Sequence, residues 1–193
     1  MNAVVPSPVP LPGAQIWPPS VAAYRVLGEA GLIPRNTELI AGFVYTKTSK
    51  SPLHSFLVQY LHDALAGVLP DGGLLRTEQP LTCGDSEPEP DLAVVAGVRE
   101  DFREDHPHTA ELIIEVSVTS HDYDRSKLPA YAAAGVNECW LVLGPEKQIE
   151  THWLPKDGQF TMHSVHRLGD TRASLALPGF AISLDALFGN IGG

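Results

Sequence analysis

The chain has 193 residues, 44% hydrophobic and 19% charged, with a formal net charge of −10 at pH 7. That composition excludes a disordered chain, and the length suffices for one self-supporting core. The acidity excludes a protein that grips nucleic acid by a broad basic surface alone, because phosphate neutralisation supplies most of such affinity. A polyanionic ligand would need a local basic patch, a bound cation, or both.

Residues 1–19 are Pro-rich and nearly uncharged, as an extended tail would be. With six prolines in the first 20 residues and no basic n-region, the start carries no secretory pattern. No apolar run is long enough to span a bilayer, so a cytoplasmic protein is expected. A single domain over 20–190 should follow the tail. Ser20 caps a first predicted helix that stops at Gly31. Residues 38–48 form a strand pair, or one bent strand, broken at Gly42. Ser51 and Pro52 open a second helix whose apolar stripe runs from Leu53 to Leu65. A strand follows near 73–81. The acidic turn DSEPEP then feeds the apolar strand DLAVVAG. Residues 97–108 are polar and irregular. ELIIEVSV (111–118) is a strand buried on both faces, and TSHDYDRS is a loop. A helix containing KLPAYAAA ends at Gly135. Three strands (ECWLVL, QIETHWL and QFTMHSV) and a short helix, SLDALF, close the chain. This order predicts an α/β or α+β fold, a mixed sheet flanked by helices. Cys83 and Cys139 are far apart without CxxC spacing, so neither a disulfide framework nor a zinc site is expected.

Two acids interrupt apolar strands. Asp91 begins DLAVV directly after Pro90, and Glu115 lies inside IIEVSV. An ionised carboxylate is costly to bury unless it is paired or binds a metal. Two hard oxygen donors with water and a backbone carbonyl suit Mg²⁺ or Mn²⁺. The plainer alternatives are a turn residue for Asp91 and an edge-strand or salt-bridged acid for Glu115. Lys127 lies near the start of the following helix. Pro129 fixes that start, since an interior proline would cost about 3 kcal/mol, and places it near 124–126. Asp124, Lys127 and Tyr131 then share one face. Lys127 could stabilise charge on a phosphate or could be a solvated surface lysine. GxSxG, P-loop and GxGxxG patterns are absent, as is HExxH spacing.

The segments TELIAGFVY (37–45), SPLH (51–54), EPDLAVVAG (89–97), ELIIEVSVTS (111–120), DRSKLPAYAAAGVNECWLV (124–142) and LPGFAISLDALF (177–188) together resemble the Uma2 family, also known as DUF820. That family is a bacterial branch of the PD-(D/E)XK nuclease-like superfamily. The resemblance implies a restriction-endonuclease-like fold and Mg²⁺- or Mn²⁺-dependent endonuclease chemistry, with DNA as the main substrate and RNA left open. It implies catalytic roles for Asp91, Glu115, Lys127 and Glu38, and metal binding by Asp91, Glu115 and the backbone carbonyl of Val116. Ser117 stands two residues after Glu115, so the lysine of an ExK pattern is replaced by Lys127 on the next helix. His54 and Arg125 are candidate substrate contacts, although a helix-start histidine can equally bond to backbone. A homodimer is also implied. Two departures stand out: Phe43 follows Gly42 where the family has an acid, and Val118-Thr119 replaces a proline step. The alternative is a catalytically inactive nuclease-fold module that binds nucleic acid or a protein partner.

Overall fold

A computed structural model of the chain describes residues 15, 17–47 and 49–189. The expected tail therefore lies outside the described residues except at 15 and 17–19. The elements are α1 (Val21–Glu29), β1 (Thr37–Ile40), β2 (Phe43–Thr46), α2 (Pro52–Ala66), β3 (Gly73–Thr77), β4 (Leu92–Ala96), β5 (Leu112–Ser117), α3 (His121–Ser126), α4 (Leu128–Ala133), β6 (Glu138–Leu143), β7 (Gln148–Lys156), β8 (Gln159–His166), β9 (Thr171–Ala173), β10 (Ala181–Ser183) and α5 (Leu184–Phe188).

Six strands form one sheet in the order β3-β4-β5-β6-β7-β8. Only β5 and β6 run parallel; the other neighbours are antiparallel. Every residue of β5 and of β6 is buried, as a parallel pair covered on both faces requires. On one face Leu57, Leu61 and Leu65 of α2 and Leu184, Leu187 and Phe188 of α5 pack against Leu112, Ile114 and Trp140. On the other, Tyr131 of α4 and Val136 pack against Ile113, Cys139 and Leu141. This is the expected mixed sheet flanked by helices. Both cysteines are free and buried. No described helix is long and apolar enough to cross a membrane.

Residues 37–46 form a strand pair, with Glu38 opposite Tyr45. Its turn needs a glycine: Gly42 has φ +75°, and a Cβ there would lie 2.3 Å from Pro18. Two expectations are corrected. The loop assigned to TSHDYDRS is helical from His121. The helix placed from 124–126 to Gly135 is two short helices, with Lys127 as the residue between them. Pro129 explains the break: it has no N–H to donate, and its ring would crowd the carbonyl of residue 125 in a continuous helix. The small β9–β10 sheet had no sequence signal.

That small sheet is tied to the large one by a buried charge. Glu138, fully buried, accepts from Trp140 Nε1 at 2.8 Å, Arg172 Nη2 at 2.7 Å, Ser174 Oγ at 2.6 Å and the amides of Leu175 and Ala176. Burial alone would raise the Glu138 pKa, but these donors outweigh it and hold the carboxyl below its ordinary value. Glu138→Ala would strand the mostly buried Arg172 without its partner. Urea unfolding should then show a loss of about 3–5 kcal/mol; a loss under about 1 kcal/mol, the worth of a surface pair, would contradict this account.

Candidate active site

The β4–β5 register pairs Leu92 with Ile114. One step further along the same ladder sets Asp91 opposite Glu115, on the same side of the sheet. Glu115 is 2% exposed and its strand lies between β4 and β6, so it is not an edge residue facing water. Asp91 ends the ladder by accepting the Val116 amide through Oδ2 at 2.7 Å. Its Oδ1 lies 3.1 Å from Nε2 of His54, which α2 presents from its first turn. Ser51 caps that helix by accepting the His54 amide.

The helix break lowers Lys127 onto these acids. Its Nζ lies 3.1 Å from Glu115 Oε1, 3.1 Å from Glu38 Oε2 and 3.6 Å from Asp124 Oδ1. The side chain is 3% exposed, which rules out a solvated surface lysine. Glu38 arrives from β1. Tyr131, one turn after Lys127, donates to Glu115 Oε1 at 2.5 Å. Tyr123 donates to Glu38 Oε2 at 3.1 Å, and its ring centre lies 5.0 Å from Lys127 Nζ. Ser120 donates to Asp124 at 2.7 Å.

All of these side chains but Tyr131, which lies behind Glu115, line a cleft of about 860 Å³. Its lining holds six carboxylates (Glu38, Glu78, Glu89, Asp91, Glu115, Asp124) against four cations (Arg35, Lys47, Lys50, Lys127) and His54. Lys47 pairs with Glu89, and Lys50 with Glu78. Burial pushes the Glu115 carboxyl up to about 8; Lys127 opposes the shift, and Asp124, Asp91 and Glu38 add to it. Burial would lower the Lys127 pKa, but Glu115, Glu38 and Asp124 overcome it and hold the ammonium charged.

Oxygen donors in negative excess fit a divalent cation such as Mg²⁺ or Mn²⁺. Among the described residues no group of three or more His, Cys, Asp or Glu side chains forms a ready-made cage.

The structure brings together Glu38, His54, Asp91, Glu115, Val116 and Lys127. Arg125 does not join them. Its guanidinium is held by Glu150 on β7, at 2.6 and 3.1 Å, outside the residues lining the cleft. The reason is topological: β6 and β7 return beside α3 and offer the nearer acid. Sequence reasoning missed Tyr123 as a partner of Glu38, and it missed the Lys47–Glu89 and Lys50–Glu78 pairs. Tyr131 was placed on the correct helix face, but its bond to Glu115 had no signal.

The model of the Uma2 family, described as "putative restriction endonuclease", matches residues 33–185. Among solved structures, the fold is similar to a crystal structure described as "a putative nuclease belonging to DUF820" from Anabaena variabilis. The TM-score is 0.71 at 18% identity, covering 84% of this chain and 97% of that one. No curated protein matches the chain.

The raised Glu115 pKa predicts a pH signature. Glu115 keeps its proton in the fold after an unfolded chain, with its ordinary 4.5, has lost it. The fold therefore binds the extra proton, and this contribution, complete below about 4.5, is lost as pH rises through about 8. Glu115→Gln removes the titration. The melting temperature of the variant minus that of wild type should rise steadily across that window. A constant difference would mean that Glu115 is ionised throughout.

Proposed function

We propose, for a chain that belongs to the Uma2 family, that the cleft hydrolyses phosphodiester bonds in nucleic acid, chiefly DNA. The observation that carries this is the convergence of Asp91, Glu115 and Lys127, from three separate chain segments, with Lys127 Nζ 3.1 Å from Glu115. Asp91, Glu115 and the Val116 carbonyl are the groups that would hold Mg²⁺ or Mn²⁺. When bound, such an ion supplies Lewis acidity toward phosphate and lowers the pKa of water in the site.

The remaining roles belong to the protein's own side chains. Lys127 brings positive charge to the phosphate as it gains charge in the transition state. It does so from the residue between α3 and α4, in place of a lysine two positions after Glu115. Glu38 and Asp124 keep the ammonium charged and aimed. Tyr131 fixes Glu115, and Tyr123 fixes Glu38. His54 steadies Asp91 through Nε2. The low exposure of the floor excludes bulk water, which strengthens each of these interactions.

The acidic net charge favours a second reading, a module that binds without cutting. Titration calorimetry separates the two. Mn²⁺ binding that vanishes in Asp91→Asn supports the metal site, whereas identical heats in wild type and variant favour the module. For activity, purified protein with Mg²⁺ or Mn²⁺ should nick plasmid DNA. Asp91→Ala should abolish nicking, and Lys127→Met should slow it by at least about 10²-fold, the typical loss when one charge-stabilising donor is removed. Equal nicking by wild type and Asp91→Ala would end the nuclease reading.

A further inference from the structure

Resting on that nuclease reading, we infer that the cleft takes an unpaired nucleic-acid strand, with Tyr45 as its base-stacking platform and Arg35 as its phosphate contact at the mouth. Tyr45 stands on β2 opposite Glu38. It is 43% exposed and lines the cleft. Its ring centre is 5.6 Å from that of Tyr123, which in turn lies over Lys127. An aromatic path thus leads from solvent to the ammonium on the floor. Arg35 is exposed on the same lining and forms no ion pair among the described residues. A guanidinium left uncommitted at the cleft wall is free to meet an anion from outside, and phosphate suits its planar fork.

Two observations favour a single strand over a duplex. The first is depth. Glu115 and Lys127 are only 2% and 3% exposed, at the bottom of a space of about 860 Å³. That volume is in the range of small-ligand pockets. A flexible strand with unstacked bases can feed a phosphate into it, whereas a duplex carries both strands and its stacked pairs along. The second is charge. Duplex binding draws on a broad basic face. Here Arg25, Arg125 and Arg172, all outside the cleft, are already bound by Glu87, Glu150 and Glu138. Four of the thirteen lysines and arginines line this one cleft. Recognition would then come from stacking on the Tyr45 face plus the phosphate contact of Arg35, an aromatic group and a cation as used to grip unpaired strands.

The test uses the full chain carrying Asp91→Asn, which blocks cutting, and reads fluorescence anisotropy with labelled oligothymidylate and with a mixed-sequence duplex. The single strand should bind at least about tenfold more tightly. Adding Tyr45→Ala should weaken it by about tenfold, the worth of one base–aromatic stack, while Tyr45→Phe retains it. Arg35→Ala should lower the salt dependence by about one phosphate contact. Equal affinity for duplex, or a Tyr45→Ala protein with an unchanged melting temperature that binds like its parent, would overturn the inference. The two proposals can fail separately. Wild type that cuts duplex as fast as single strand sinks this one and keeps the nuclease. Tyr45-dependent binding by a wild type that cuts neither does the reverse.

Discussion

Everything in the cleft hangs on one buried ammonium. Lys127 Nζ sits among Glu38, Glu115 and Asp124, which come from β1, β5 and α3. A buried charge without partners would be driven to neutrality, and three buried acids without a cation would repel one another. Each side makes the other tolerable, so the group holds three elements at fixed distances. The small β1–β2 sheet forms no ladder with the large one; the Glu38–Lys127 pair ties it to the α3–α4 break, beside the bridge between Leu39 and Glu87. Stability and chemistry therefore share the same atoms.

The position of that ammonium follows from a single proline. Without Pro129, the apolar and small residues of LPAYAAA would let α3 and α4 run together. The break gives Lys127 backbone angles of φ −80° and ψ −21°, close to helical yet between two helices. Tyr131 still follows one turn later, with its amide bonded to the Lys127 carbonyl at 3.1 Å. Lysine and tyrosine thus reach Glu115 Oε1 from the same face.

What was legible in the sequence were features that local chemistry makes conspicuous. Lone acids in apolar strands must be paired, which singled out Asp91 and Glu115. A proline near a helix start placed Lys127. The strand pair around Gly42 showed in its turn residue, and buried β5 showed in its unbroken apolar run. What stayed hidden depends on long-range topology. Arg125 meets Glu150 only because β6 and β7 fold back beside α3. Glu138 carried no signal of its own, because its partners Arg172 and Ser174 lie more than thirty residues on. The β9 and β10 strands are three residues each, too short to show a period. Lys47 and Lys50 gave no sign of their partners Glu89 and Glu78, which lie far along the chain.

The net acidity, which seemed to argue against a polyanionic substrate, takes another meaning once the charges are placed. The cleft is a set of ion pairs: Lys47 with Glu89, Lys50 with Glu78, Lys127 with Glu38 and Glu115. Each pair joins a group suited to phosphate with a group suited to a divalent cation. A substrate phosphate arriving with its cation can exchange with such pairs, anion to the lysines and cation to the carboxylates. No charge is then left uncompensated at low dielectric. A phosphate alone would free carboxylates that repel it, and a cation alone would free lysines that repel it. With Glu115 holding its proton below about 8, five carboxylates still face four cations, an excess that a divalent ion would offset. On the proposed reading, the acidic lining is the complement of a divalent ion and does not by itself exclude nucleic acid.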